Sequence, residues 1–216
     1  MSQYNTVFFD LDGTITDSKP GILRCIRLAL DAKHIPYTEA QLDLMVGPPF
    51  RVSMRELLGV EGEIVEELIR IYRGEYEIAG WRECRVYDGM EDLFKRLREG
   101  GKRLAVATSK PLRFTNKMLN ELGLSKYFDF IGGAESDSSR DSKIEVIRYV
   151  MENLKMENGD GVLMVGDRLY DIDGAKLAGM DSAGVLWGYG TREELTAHGA
   201  TYLFETPDKL GDFLLK

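Results

Sequence analysis

Two aspartates one residue apart, Asp10 and Asp12 in "VFFDLDGT" (Val7 to Thr14), close an apolar run of strand character. Strand side chains alternate between faces, so residues two apart fall on one side. Carboxylates placed that way repel each other unless a positive group lies near them. Alone, the pair allows three readings: a polar strand end, a metal-binding D-x-D, or a nucleophile with an acid/base neighbour. Other segments carry matching chemistry. "LAVATS" ends in Thr108 and Ser109, hydroxyls able to bond an anion. Pro111 just beyond predicts a helix start whose free N–H groups face the same place. "VLMVGD" ends in Asp167, with Asp171 four residues on, and Lys143 in "SSRDSK" opens the helical segment before it.

These residues need a frame. Short apolar runs, "TVFFD", "LAVATS", "DFIGGA", "VLMVGD" and "SAGVLW", alternate with stretches of helical period such as Met90, Leu93, Phe94 and Leu97, or Phe114, Met118 and Leu122. Buried strands alternating with amphipathic helices predict right-handed crossovers and an α/β fold with a doubly wound parallel sheet, which binds ligands at the strands' carboxyl ends. The rhythm breaks once. From Asp17 to about Arg82 only helical patterns occur, Ile22, Ile26 and Leu30, then Val65, Leu68, Ile69, Tyr72 and Tyr76. The expected organisation is therefore a core of residues 1–16 and 83–216, with a small α-helical cap domain, 17–82, inserted after the first strand. Thr38 with Gln41 predicts a capping box in the insert, and "GPP" (Gly47 to Pro49) a turn between its helices. The two crossings between core and insert suit a hinge that closes over the strand ends.

Gathered at one sheet edge, Asp10, Asp12, Asp167 and Asp171 form an acidic nest for a hard divalent cation, and Mg2+ suits a set of carboxylates, a backbone carbonyl and a phosphate oxygen. Such a site supports phosphoryl transfer by positioning and charge neutralisation. Asp10 would attack phosphorus. Asp12 would protonate the leaving oxygen and later take a proton from water, which requires it to be protonated when substrate binds. Thr108 and N–H groups near Ser109 would hold the phosphoryl oxygens, and Lys143 would balance Asp10 and the transferring group. Arg140, three residues before Lys143, could contact a substrate phosphate. Trp187 and Tyr189 could line the entrance or pack on a helix, and Thr191 with Glu194 predicts a second capping box.

Other classes fall away. The 216 residues carry a net charge of −8, against a nucleic acid polymer as partner. No apolar run approaches the ~20 residues of a membrane span, and Cys25 and Cys84 have neither metal nor disulfide spacing, so a cytoplasmic protein is expected. Phosphate-loop, nucleophile-elbow and calcium-hand signatures are missing, and His34 and His198 lie too far apart in sequence to suggest a triad or zinc site. Composition says nothing of oligomeric state.

In "DLDGT", in "TS" closing the second core strand, in Lys143 and in "GDRLYD", all in order, the sequence resembles the haloacid dehalogenase superfamily of Asp-based phosphohydrolases. The resemblance spans nearly the whole chain. It implies a Mg2+-dependent phosphatase with Asp10 as nucleophile and Asp12 as general acid/base. Thr108 and Lys143 would be phosphate ligands. Asp10, Asp167 and the Asp12 carbonyl would be metal ligands, with Asp171 acting through water. The insert looks like the helical cap of the phosphoglycolate phosphatase-like branch. "VGPP", "ATSKP", "GGAESDSSRDSK" and "GVLWGYGTREEL" look most like its 5′-nucleotidase-like group, while Ile144 stands where many relatives carry Pro. The implied substrate is a small phosphorylated metabolite, a nucleoside monophosphate first and phosphoglycolate next. A sugar phosphomutase like β-phosphoglucomutase, and a binding protein that keeps only the fold, are the alternatives.

Overall fold

The computed structural model describes residues 3–48, 50–135 and 140–216, and the chain divides into two compact units, Met1–Asp17 with Val86–Lys216, and Ser18–Arg85. In chain order, β1 (Thr6–Phe9) and β2 (Thr16–Asp17) precede the helical unit, which holds α1 (Lys19–Ala32), α2 (Glu39–Leu44), α3 (Phe50–Leu58) and α4 (Glu63–Ile78). After β3 (Arg85–Val86) come α5 (Met90–Glu99), β4 (Arg103–Pro111), α6 (Leu112–Glu121), β5 (Phe130–Ala134), α7 (Lys143–Asn153) and β6 (Val162–Gly166). The chain ends with α8 (Leu169–Leu177), β7 (Asp181–Val185), α9 (Arg192–Ala197), β8 (Tyr202–Phe204) and α10 (Pro207–Leu214). The sequence reading sets the second crossing at 82–83. The division falls at Arg85, because the turn Gly80–Arg82 and the Gly21 N–H to Glu83 carbonyl bond keep the preceding residues with the helices.

Six strands form one parallel sheet in the order β5-β4-β1-β6-β7-β8. β1 lies inside it, Phe9 standing opposite Val106 of β4 and Val165 of β6. Its unbroken apolar run follows from burial on both faces. Phe8 packs with Val146, Ile147 and Val150 of α7, whereas Phe9 points the other way and meets the Phe94 ring of α5 edge-on at 5.2 Å. Each such fully buried side chain contributes about 1.5–3 kcal/mol. From β1 the chain builds β4 and β5 on one side, then returns through α7 to build β6 on the other. That reversal opens a crevice at the carboxyl ends of β1, β4 and β6.

Two elements differ from the sequence reading. β4 runs on past Ser109 to Pro111, while α6 starts at Leu112, directly after Pro111, where the sequence reading expects a helix. β8, three half-buried residues at the sheet edge, carries too short a pattern to read; its Tyr202 and Phe204 rings pack on Phe213.

Within the helical unit α1 packs on α4; α1 buries Cys25, Ile26, Ala29 and Leu30, and α4 buries Val65, Leu68 and Ile69. The capping box opens α2: the Gln41 N–H donates to Thr38 Oγ1 at 3.2 Å and the Thr38 N–H to Gln41 Oε1 at 2.9 Å. Pro49 of the expected turn lies outside the described residues. Among the described residues no helix is long and apolar enough to cross a membrane.

Candidate active site

β1 stops at Phe9, but the Asp10 N–H still donates to the Val165 carbonyl at 2.9 Å and holds Asp10 in line with the strand. Beyond it the backbone winds tightly. The Leu11 carbonyl accepts from the Ile15 and Thr16 N–H groups, both at 2.9 Å, and the Gly13 N–H donates to the Thr16 carbonyl at 2.8 Å. Gly13 has φ of +83°, and a Cβ there would run into the Asp167 carboxylate, so the turn requires glycine.

This turn corrects the alternation argument. Asp12 is past the strand, and its carboxylate takes the Lys110 ammonium, Nζ donating to Oδ1 at 3.1 Å and to Oδ2 at 2.8 Å. The nest of four carboxylates is a nest of three: Asp10, Asp167 and Asp171 each bring an oxygen within 4.8 Å of the others. Each member of the opening pair has its own lysine.

Lys143 serves Asp10. It is the first residue of α7, whose start is set by a capping box between Ser142 and Glu145, so no proline is needed there. Its Nζ donates to Asp10 Oδ1 at 2.7 Å and to the Ala107 carbonyl at 3.0 Å, and forms an ion pair with Asp171 Oδ1 at 2.8 Å. Burial alone would lower the Lys143 ammonium, but Asp10 and Asp171 beside it raise it well above the ordinary lysine value.

Asp167 is held at both oxygens. Thr14 Oγ1 donates to Oδ1 at 3.0 Å and the Tyr189 N–H to Oδ2 at 2.8 Å. Asp171, in the first turn of α8, accepts the Arg168 N–H at 3.0 Å. Burial pushes Asp167 well above the usual carboxylate range, reinforced by Asp171 and Asp10. Burial likewise pushes Asp171 up to about 6, while Lys143 holds it down and Asp10 adds to the rise. Three hard oxygen donors stand beside one ammonium, and a divalent cation with a preference for oxygen fits that donor set.

Thr108 is buried at the carboxyl end of β4 and its Oγ1 accepts the Lys110 N–H at 3.2 Å; Ser109 is exposed. The structure brings Arg140 elsewhere, to its own loop. Its guanidinium donates to the Gly133 carbonyl at 2.9 Å and to Glu135 at 2.7 Å, and lies 3.6 Å from the Tyr149 ring centre. Trp187 and Tyr189 belong to a turn wrapped on the site, Trp187 Nε1 donating to the Thr14 carbonyl at 3.0 Å. The second capping box is half formed. Thr191 accepts the Glu194 N–H, but the Glu194 carboxylate is used by the Leu169 N–H and Arg168 Nε, each at 2.8 Å. Sequence reasoning misses Lys110 and the Tyr189 amide. A lysine directly after the two hydroxyl residues is the one available signal for the first, and a backbone N–H leaves none.

Residues 7–185 match the family model described as haloacid dehalogenase-like hydrolase. The chain is 40% identical over 203 residues to the tyrosine-protein kinase PtkA of Mycobacterium tuberculosis, covering 90% of this chain and 69% of that one. It is 34% identical over 201 residues to a 5′-nucleotidase of Pseudomonas aeruginosa, covering 93% and 90%. The crystal structure of a predicted phosphatase from Clostridium acetobutylicum superposes with a TM-score of 0.92 at 40% identity over 99% of both chains. With the aspartates and Lys143 gathered at the carboxyl ends of a parallel sheet, the chain belongs to the haloacid dehalogenase-like hydrolase family and is a phosphatase within it.

Proposed function

We propose that this chain is a Mg2+-dependent phosphomonoesterase of the cytoplasm, 5′-nucleotidase-like, which cleaves a small phosphorylated metabolite through an aspartyl-phosphate on Asp10. The observation that carries it is the Asp10–Lys143 pair, because the ammonium holds one oxygen of Asp10 at 2.7 Å and orients the carboxylate. Asp10 attacks phosphorus, the P–O bond to the leaving group breaks, and Asp12 gives that oxygen its proton. Water then attacks the phosphoryl group, Asp12 takes the water's proton, and phosphate departs with Asp10 restored. Thr108 and the N–H groups around Ser109 hold phosphoryl oxygens in both steps, while Lys143 offsets the charge they gain. Mg2+, held by Asp10, Asp167 and the Asp12 carbonyl with Asp171 behind them, would supply charge neutralisation. The helical unit serves as the cap that selects substrate.

Phosphate release from nucleoside monophosphates, phosphoglycolate and sugar phosphates, with Mg2+ or EDTA, tests this against Asp10→Asn. Metal-dependent release that vanishes in the variant is expected; folded, metal-loaded protein that releases phosphate from no ester overturns it. The kinase name of one relative favours a second reading, in which a tyrosine hydroxyl takes the place of water. Radiolabel moving from a nucleotide to protein tyrosine, without matching free phosphate, would select it.

A further inference from the structure

We infer that Lys110 is a positioning residue for Asp12, and that it fixes the carboxylate's rotation for proton transfer to the leaving group. The inference rests on the proposed proton-donor role of Asp12. Lys110 is 8% exposed, and lysine is almost never buried unless paired. Its ammonium spans both Asp12 oxygens, at 3.1 and 2.8 Å, a two-point contact that restrains the carboxylate plane where one bond would leave it free to turn.

The backbone is built to deliver this lysine. Along β4 and β5, Thr108 stands opposite Gly133 but Pro111 opposite Ala134, so Ser109 and Lys110 bulge out of register. A bulge re-aims a side chain, and bulges gather next to active sites. Gly133 admits it, since a Cβ there would lie 2.8 Å from the Lys110 carbonyl oxygen and 2.8 Å from Leu112 Cα. The Lys110 N–H on Thr108 Oγ1 pins the bulge from within. Lys143 is engaged elsewhere, hydrogen-bonded to Asp10 and the Ala107 carbonyl and ion-paired with Asp171.

The test compares two phosphate esters: p-nitrophenyl phosphate, whose leaving group departs without a proton, and a simple alkyl phosphate, whose leaving group needs one. Parameters are measured for wild type, Lys110→Met, Lys110→Arg and Asp12→Ala, with folding checked by thermal unfolding and Lys110→Gln replacing a Met variant that does not fold. A misplaced donor should cost Lys110→Met about 100-fold in kcat/KM on the alkyl ester, while the nitrophenyl ester changes little. Lys110→Arg should recover part of the loss, and Asp12→Ala should share the selectivity in kcat/KM, which ends at departure of the leaving group, while its kcat falls on both esters because water's proton then has no acceptor. Equal losses on both esters in Lys110→Met, beside a selective Asp12→Ala, would show a merely structural lysine and overturn the inference alone. An Asp12→Ala variant unselective in kcat/KM would overturn the proton-donor role itself, and the inference with it.

Discussion

Removing the charge of Lys143 while keeping its stem, as in Lys143→Met, should expose how much of the site's stability is electrostatic. The ammonium is buried against Asp10 and Asp171, at 2.7 and 2.8 Å, and the cluster's third carboxylate, Asp167, stays close by. Breaking a buried ion pair by deleting one partner costs about 3–5 kcal/mol. For a chain of this size each kcal/mol moves Tm by about 2–4 °C, so metal-free protein at pH 8 should lose about 6–20 °C. The pH dependence gives the cause. Asp171 is pushed up to about 6 in the fold, above its unfolded value near ~3.9. Its contribution to stability is thus fully present below the unfolded value and lost as pH rises through about 6. In the variant the group that holds Asp171 down is gone, so its folded pKa rises further and the loss moves to higher pH. Lys143 itself is raised, so in wild type its contribution is complete at every pH below the ordinary lysine range. The gap between variant and wild type should therefore narrow from pH 8 to pH 5. Thermal unfolding in EDTA at both pH values measures it. A loss as large at pH 5 as at pH 8, or a Tm unchanged at pH 8, would refute the electrostatic account.

Three other outcomes are expected. Mg2+ at 100 times its dissociation constant should stabilise wild type by about 2.7 kcal/mol, a Tm rise EDTA reverses, and Asp167→Asn should abolish the rise. Gly188→Ala places a Cβ against Asp167 Cβ and the Gly13 carbonyl, so it should destabilise by about 1–3 kcal/mol and weaken Mg2+ binding, both read from unfolding with and without the ion. Ser142→Ala removes the cap ahead of Lys143 and should cost about 1 kcal/mol in denaturant melts.

The sheet was legible because its strands are buried on both faces. Val7, Phe8 and Phe9 are apolar in succession, and a run that short, set between helical patterns, is too brief for a buried helix. β8 was not, since three half-buried residues at an edge hold no alternation to read. The inserted helices declared themselves by period, and Thr38 with Gln41 by spacing. The same spacing at Thr191 and Glu194 misled by half, because Arg168 and Leu169, close only in the fold, take the carboxylate that would have closed the box.

The site divides along the same line between local and distant causes. Residue types and order expose Asp10, Lys143, Asp167 and Asp171, since each sits at or just beyond the end of a strand or at the start of a helix. Pairing is another matter. Strand alternation puts Asp12 beside Asp10 only while the strand continues, and it stops at Phe9 because Gly13, close against Asp167, turns the chain. Lys110 reaches Asp12 only because β4 slips against Gly133, a register set by another strand. Two aspartates that a linear reading assigns to one cation thus come to have two lysines, Lys143 from a helix start and Lys110 from a bulge. The division matters chemically: with separate partners, the proposed nucleophile and the proposed proton carrier can each be oriented without disturbing the other.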